Sequence, residues 1–94
     1  MAAKITSTQR IAIAGASARS AALAIGYKYA VTASADCTIR QGSSTVDAAA
    51  DTANNWFLAK GAVIEVYPSE ASDQYIAVIG TSGSLYIARL DGAS

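Results

Sequence analysis

Hydrophobic and polar residues alternate along most of the chain with a period of two. Such alternation predicts half-buried β-strands, because successive side chains of a strand point to opposite faces of the sheet. Gly26 interrupts the longest stripe, so this stretch is either two strands or one bent strand. The stripe consists of Leu23, Ile25, Tyr27, Tyr29, Val31 and Ala33.

Turn signals divide the chain into seven or eight short predicted strands, and no helical stripe is evident after residue 26. Short connections require mostly antiparallel pairing, since parallel strands need long crossovers. The pattern therefore predicts an all-β fold: an antiparallel β-sandwich or small barrel, jelly-roll-like. The clearest predicted strands cover residues 11–13, 23–33, 37–41, 56–58, 62–67, 75–79 and 84–90.

Two of these strands carry more specific expectations. The nearly continuous apolar run Tyr75–Ile79 is typical of a central strand covered on both faces. The Gly-containing link Gly80–Gly83 predicts a hairpin between this strand and the last one.

The length of 94 residues fits one domain over residues 1–94. Three segments fall outside the strand pattern: a flexible arm is an interpretation of residues 1–10, and residues 91–94 form a tail. The small, polar residues 43–55 favour a long loop over a short capped helical turn, with Val46 as the one large apolar side chain. Loops of this length often carry a binding surface.

The balance of charged residues argues against two classes of binding partner, nucleic acids and membrane surfaces. Seven basic and seven acidic residues cancel, and neither sign forms a run. Nucleic-acid binding requires a net positive field, and membrane-surface binding usually requires a basic amphipathic face, so neither partner is expected. The Ala-rich stretch Ile11–Gly26 is too short to span a bilayer and is interrupted by Arg19. Synthesis in the cytoplasm is therefore expected.

Candidate chemistry is sparse. The chain has no His and one Cys, which removes Ser-His-Asp and Cys-His catalysis and every His-containing or multi-thiolate zinc site. Cys37 lies in a predicted strand and is interpreted as a small buried side chain. Glu65 and Glu70 are interpreted as solvated charges rather than an acid–base pair. We expect a protein that is not an enzyme and has no catalytic residue, cofactor or metal.

Five residues are candidates for a protein interface. Trp56 and Phe57 are adjacent on a strand, so one of them should point away from the core, although a second sheet or the long loop would cover it equally well. Arg40 faces away from the core beside Ile39, where it is either solvated or a subunit salt bridge. Asp47 and Asp51 lie in the long loop and lack the ligand spacing of a calcium-binding EF-hand. A sugar-stacking role for Trp56 or the tyrosines is the alternative.

Four segments together resemble small structural proteins of tailed bacteriophages. Their order is a strand with a polar-Cys-polar-Ile-Arg centre, a small-residue loop, an aromatic strand and a closing Gly-x-Leu-Tyr-Ile strand. The resemblance covers residues 20–90 and is carried by Ala33–Gly42, Val63–Pro68, Tyr75–Gly80 and Gly83–Leu90.

The resemblance implies a virion component, made in the host cytoplasm, whose function is structural. A capsid decoration or cement protein is the first expectation, and a head–tail connector or tail component is the alternative; a carbohydrate-binding module stands outside this class. The expected partners are the major capsid protein or other virion subunits. A homo-oligomer, specifically a trimer, is an expectation from the resemblance alone.

Overall fold

The computed structural model describes residues 4–49 and 55–91. These ranges contain eight β-strands and one turn of 3₁₀ helix at Ala71–Asp73, with no α-helix. None of the helical structure described in them is long and apolar enough to cross a membrane. The strands are β1 (Lys4–Ala12), β2 (Ala18–Arg19), β3 (Lys28–Ala33), β4 (Cys37–Gly42), β5 (Trp56–Leu58), β6 (Val63–Val66), β7 (Tyr75–Gly80) and β8 (Ser84–Asp91).

The strands form two four-stranded sheets. Sheet A has the order β1-β8-β3-β6, and sheet B has the order β2-β7-β4-β5. All of the strand pairs are antiparallel. Eight strands in this order make a jelly roll, a sandwich that joins two Greek keys. The predicted all-β, antiparallel, jelly-roll-like sandwich is therefore confirmed.

The main core lies between the inner faces of the two sheets. Alternate residues of β3, β4, β7 and β8 point into it, as the period-two pattern predicts. Val31, Val78 and Leu85 have no solvent exposure. The other buried members are Ile13, Leu23, Tyr29, Ala33, Cys37, Ile39, Leu58, Ile76 and Ile87.

The central-strand prediction for Tyr75–Ile79 is confirmed. β7 lies between β2 and β4, and Ile76, Ala77 and Val78 are all buried. Ala77 points to the outer face, so its burial requires a cover on that face. Val46 and Ala48 provide it and form a second small apolar cluster with Ala77.

The structure differs from the sequence analysis at both ends of the described chain: residues 4–10 belong to β1 rather than to an arm, and Asp91 ends β8 rather than beginning a tail. Residues 1–3 of the predicted arm and 92–94 of the predicted tail lie outside the described residues. β1 pairs with β8 from Lys4↔Asp91 to Ala12↔Ser84, with a bulge between Ile5 and Ser7. The inward positions of this half-strand hold Ser7 and Gln9, so no apolar alternation marks it. The Gln9 carboxamide oxygen accepts a hydrogen bond from the Ala21 N–H at 2.9 Å.

The predicted hairpin at Gly80–Gly83 is wrong. β7 belongs to sheet B and β8 to sheet A, so this link crosses between the sheets. Its sharp reversal uses Gly83, whose φ of +110° is a left-handed conformation that favours glycine. Among the described strands, only β4 and β5 are both consecutive in sequence and paired.

The stripe from Leu23 to Ala33 is neither two strands nor one bent strand, because only its second part, Lys28–Ala33, is a strand. Gly26 has a φ of +89° and ends the preceding irregular segment. Leu23 is buried although it lies outside any strand, because its backbone N–H bonds the Gln74 carbonyl and its carbonyl accepts from the Gln74 carboxamide. The short strand β2 was not predicted, since two residues are too few to show a period.

Candidate functional site

One side of the sandwich is formed by two short edge strands, β5 and β6. β5 is the last strand of sheet B and has three residues; β6 is the last strand of sheet A and has four. Such edge strands leave some backbone N–H and C=O groups without a strand partner. The turn through Lys60 and Gly61 joins β5 to β6 at one end of this side.

A groove opens between these two edges, and we call it the side groove. Its volume is about 300 Å³, at the small end of the range for ligand pockets. Its walls are mainly apolar, with three polar residues beside them. The lining residues are Ile39, Ile64, Val66, Ile76, Trp56, Arg40, Gln41 and Asn55.

Trp56 lies on the inner side of its strand but is not buried. In the register of sheet B it is opposite Ile39, and it shares a strand face with Leu58. Leu58 is 1% exposed whereas Trp56 is 62% exposed. The difference arises because Leu58 points into the core between the sheets, whereas Trp56 stands at the open side and forms a wall of the side groove.

Phe57 points to the opposite face of β5 and is also 62% exposed. It lines a shallow depression on the outer side of sheet B with Thr38, Ile79 and Gly80. Strand β5 therefore presents one large aromatic side chain to solvent on each of its faces.

Arg40 connects the side groove to a polar pocket near residues 43–49. It lies in β4 opposite Ala77 and is exposed, and its side chain makes no hydrogen bond or ion pair within the described ranges. Its neighbour Gln41 is held in place, because the Gln41 carboxamide donates to the Asp73 carbonyl at 2.8 Å. Arg40 and Gln41 line both spaces.

Residues 43–49, which we call the cover, fold over the outer face of sheet B. Arg19 in β2 holds this segment by donating to the carbonyls of Val46 and Ser44 at 2.8 and 2.5 Å. Its guanidinium also forms an ion pair with Asp47 at 3.4 Å. The Ser17 hydroxyl accepts from the Ala48 N–H at 2.9 Å.

The five candidate interface residues therefore do not form one cluster. Trp56 and Arg40 share the side groove, whereas Phe57 lies on the other face of β5. The Asp47 side chain is 72% exposed and already paired with Arg19. Asp51 lies outside the described residues.

The described residues show little reactive chemistry. No group of three or more Cys, Asp or Glu side chains comes together there in a way that could hold a metal ion. Burial, and secondly the Asp36 carboxylate, raise the pKa of the Cys37 thiol. Backbone N–H donation, chiefly from Glu70, lowers the pKa of the Asp73 carboxyl, which closes the turn at residues 69–73. The Asp73 carboxylate thus stabilises this turn by accepting hydrogen bonds from the backbone N–H groups of Ser69 and Glu70.

Sequence reasoning did not identify Ile64 and Val66 as neighbours of Trp56. Their proximity depends on which strands end each sheet, and alternation alone does not specify strand order. Arg19 is different, because a single cation in an Ala-rich stretch is a visible signal for a specific contact.

We compared the chain with protein-family models, with individual curated proteins and with solved structures. None of the three comparisons found a match.

Proposed function

We propose that this chain is a non-enzymatic structural subunit that acts by binding neighbouring protein subunits. In its more specific form, the proposal is a virion protein of a tailed bacteriophage that decorates the capsid and stabilises it across capsid subunits. The major capsid protein is then its main partner. A head–tail connector or tail component is the alternative within this class.

The observation that carries the proposal is the exposure of Trp56 and Phe57, each at 62%. Large aromatic residues dominate the energy of protein interfaces when a partner buries them. Both residues stand on a short edge strand, where neighbouring backbone groups add hydrogen-bonding capacity. A partner seated on β5 would contact both aromatic side chains.

The fold suits a load-bearing role. The first strand, β1, pairs with the last, β8, along eight register positions, and β8 also pairs with β3. Peeling either end of the chain from sheet A therefore breaks many hydrogen bonds together. Such non-local pairing makes a domain that transmits force between its contacts.

Cosedimentation of the purified protein with capsids assembled without it tests the proposal. Trp56→Ala and Phe57→Ala should each weaken binding by about 30-fold, the size expected for a central aromatic anchor. Ile25→Ala is a matched control, because Ile25 is 46% exposed in the irregular segment before β3, outside β5. The control should bind as the wild type does.

Far-ultraviolet circular dichroism should show that the two aromatic variants remain folded. Absence of binding by the folded wild type, or equal binding by all variants, would contradict the proposal. Binding to tail or connector assemblies in place of capsids would support the alternative within the class.

The side groove favours a carbohydrate-binding module as a second candidate function. Trp56 forms one wall of the groove, and the carboxamides of Gln41 and Asn55 lie beside it. An exposed indole ring with nearby amides is suited to the apolar face and hydroxyls of a sugar ring. A glycan array distinguishes the two candidates. If the protein is a carbohydrate-binding module, it binds glycans on the array, Trp56→Ala abolishes that binding, and Phe57→Ala, on the opposite strand face, retains it.

A further inference from the structure

We propose that the outer face of sheet A binds a second copy of the same chain, forming a two-fold symmetric dimer. We call this surface the open face. It belongs to the other sheet from β5, the strand that carries Trp56 and Phe57, so the inference stands independently of the proposed function.

The register of sheet A arranges the open face in rows across its strands. One row runs Thr8, Ala88, Ala30 and Glu65, from β1 through β8 and β3 to β6. The next row runs Arg10, Tyr86, Thr32 and Val63. On the other side of the first row, Ile5, Leu90 and Lys28 form a partial row.

The open face exposes several large hydrophobic side chains to solvent. Ile5 and Val63 are each 64% exposed, and Tyr86 is 39% exposed. The middle of the face carries Ala30 and Ala88, whose short side chains let another sheet approach closely. Two sheets packed face to face lie about 10 Å apart with their strands roughly aligned.

Arg10 and Glu65, two of the charged residues of the open face, lie on its opposite edges, and Glu65 also forms an exposed ion pair with Lys28 of β3 at 3.7 Å. Arg10 is on β1 and Glu65 is on β6, the two edge strands of sheet A. A two-fold axis parallel to the strands, running between β8 and β3, places β1 of one copy over β6 of the other. Arg10 then lies over Val63 of the second copy, one same-face step of about 7 Å from Glu65. The long arginine side chain spans that step, and symmetry creates the contact twice.

The same axis matches the centre of the face. Ala88 of one copy lies over Ala30 of the other, and Tyr86 lies over Thr32. A small pair at the middle is thus flanked by a tyrosine on each side of the axis. One two-fold rotation thus brings Arg10 of each copy near Glu65 of the other and also places the small alanine side chains opposite one another. Such self-complementarity is the property of an isologous interface.

The open face spans the four strands of sheet A. Four strands about 4.8 Å apart and the eight residues of β8 give it dimensions of about 19 by 26 Å. A two-fold contact is also self-closing, whereas a trimer requires two different surfaces on each copy.

Analytical ultracentrifugation across a concentration series tests the inference. The wild type should sediment with about twice the 9.5 kDa mass of the chain. Ala30→Glu introduces a carboxylate at the centre and should raise the dimer dissociation constant by about 100-fold. Arg10→Glu faces Glu65 of the second copy and should raise it by about tenfold, because two symmetric pairs change together.

The decisive variant is the charge exchange R10E/E65R, which should restore most of the affinity lost in R10E. Lys60→Glu, an equal charge change in the β5–β6 turn, and Trp56→Ala should leave the dissociation constant unchanged. Circular dichroism should show that Ala30→Glu remains folded. A monomeric wild type at every concentration, a trimer, or a dimer insensitive to A30E and R10E would each overturn the inference.

Discussion

The outer faces of the two sheets have an alanine at corresponding places, Ala77 on β7 of sheet B and Ala88 on β8 of sheet A. Ala77 has no solvent exposure, because Val46 and Ala48 of the cover pack on it. Ala88 is half-buried, with exposed neighbours such as Tyr86 on the same face. Sheet B thus covers its outer face with its own chain, whereas sheet A leaves an apolar surface to solvent.

The difference shows how one small domain separates stability from binding. The cover adds a second apolar cluster beside the main core, and its burial stabilises the isolated chain. The open face contributes little to folding of the monomer, so its apolar side chains gain their main burial through association. Substitutions on the two faces should therefore affect different measurements.

The largest expected effect comes from placing a carboxylate under the cover. Ala77→Glu should lower the free energy of unfolding by about 3 kcal/mol or more, since the cover must lift or an unpaired charge must be buried. Ala88→Glu is the matched control and should change it by about 0.5 kcal/mol or less. Urea unfolding of dilute protein, below any self-association, measures both. Equal losses in the two variants would contradict the comparison.

Removing the anchor of the cover should have an intermediate effect. Arg19→Ala deletes the two hydrogen bonds to the carbonyls of Ser44 and Val46, which should cost about 1–2 kcal/mol. Hydrogen exchange should accelerate first at residues 44–48. Asp47→Ala removes only a long, exposed ion pair and should cost about 0.5 kcal/mol or less. Unchanged exchange in R19A would show that the apolar contacts hold the cover without this anchor.

Alternation sufficed to predict much of the core, because Val31, Ile39 and Leu85 lie at apolar alternate positions, and the continuous apolar run that contains Val78 predicted the central strand. It did not assign strands to sheets, since the Gly80–Gly83 link has the same residue types whether it closes a hairpin or crosses the sandwich. The cover could not be predicted for a similar reason, because Val46 and Ala48 are buried by packing on Ala77, which is distant in sequence.

The candidate site was predictable only in part. The large aromatics at positions 56 and 57 are visible in the sequence as candidate anchors. The exposure of Trp56 depends on the space between β5 and β6, which follows from strand order. Which strands lie at the edges of the two sheets is a property of the tertiary fold, so the side groove could not be deduced from the local sequence pattern.

A smaller effect tests how closely the cover fits. A Cβ atom added at Gly42 would lie 2.8 Å from Cγ2 and 3.0 Å from Cβ of Val46. Gly42→Ala should therefore cost about 1 kcal/mol through overpacking. In a Val46→Ala background the penalty should shrink, and a double-mutant cycle by urea unfolding measures the coupling. Gly15→Ala, with no atom within 4 Å of the added Cβ, is the control and should be nearly neutral. An equal penalty with and without Val46 would place the strain elsewhere.

The smallest expected effect on stability concerns Cys37. This residue lies beside the outer depression that Phe57 lines and does not belong to the Val46–Ala48–Ala77 cluster. Burial, then the Asp36 carboxylate, raise the pKa of its thiol in the folded chain. As pH rises past about 8.5, the thiol of the unfolded chain ionises first. The fold therefore loses stability from that pH up to the folded-state pKa, and the thiol has no such effect at lower pH.

Urea midpoints between pH 7 and 10 should fall more steeply in the wild type than in Cys37→Ala. Asp36→Asn removes the smaller cause while keeping an oxygen to accept the Lys60 N–H, so its curve should lie between the two. Identical slopes for wild type and C37A would show that the thiol ionises as freely in the fold as in the unfolded chain.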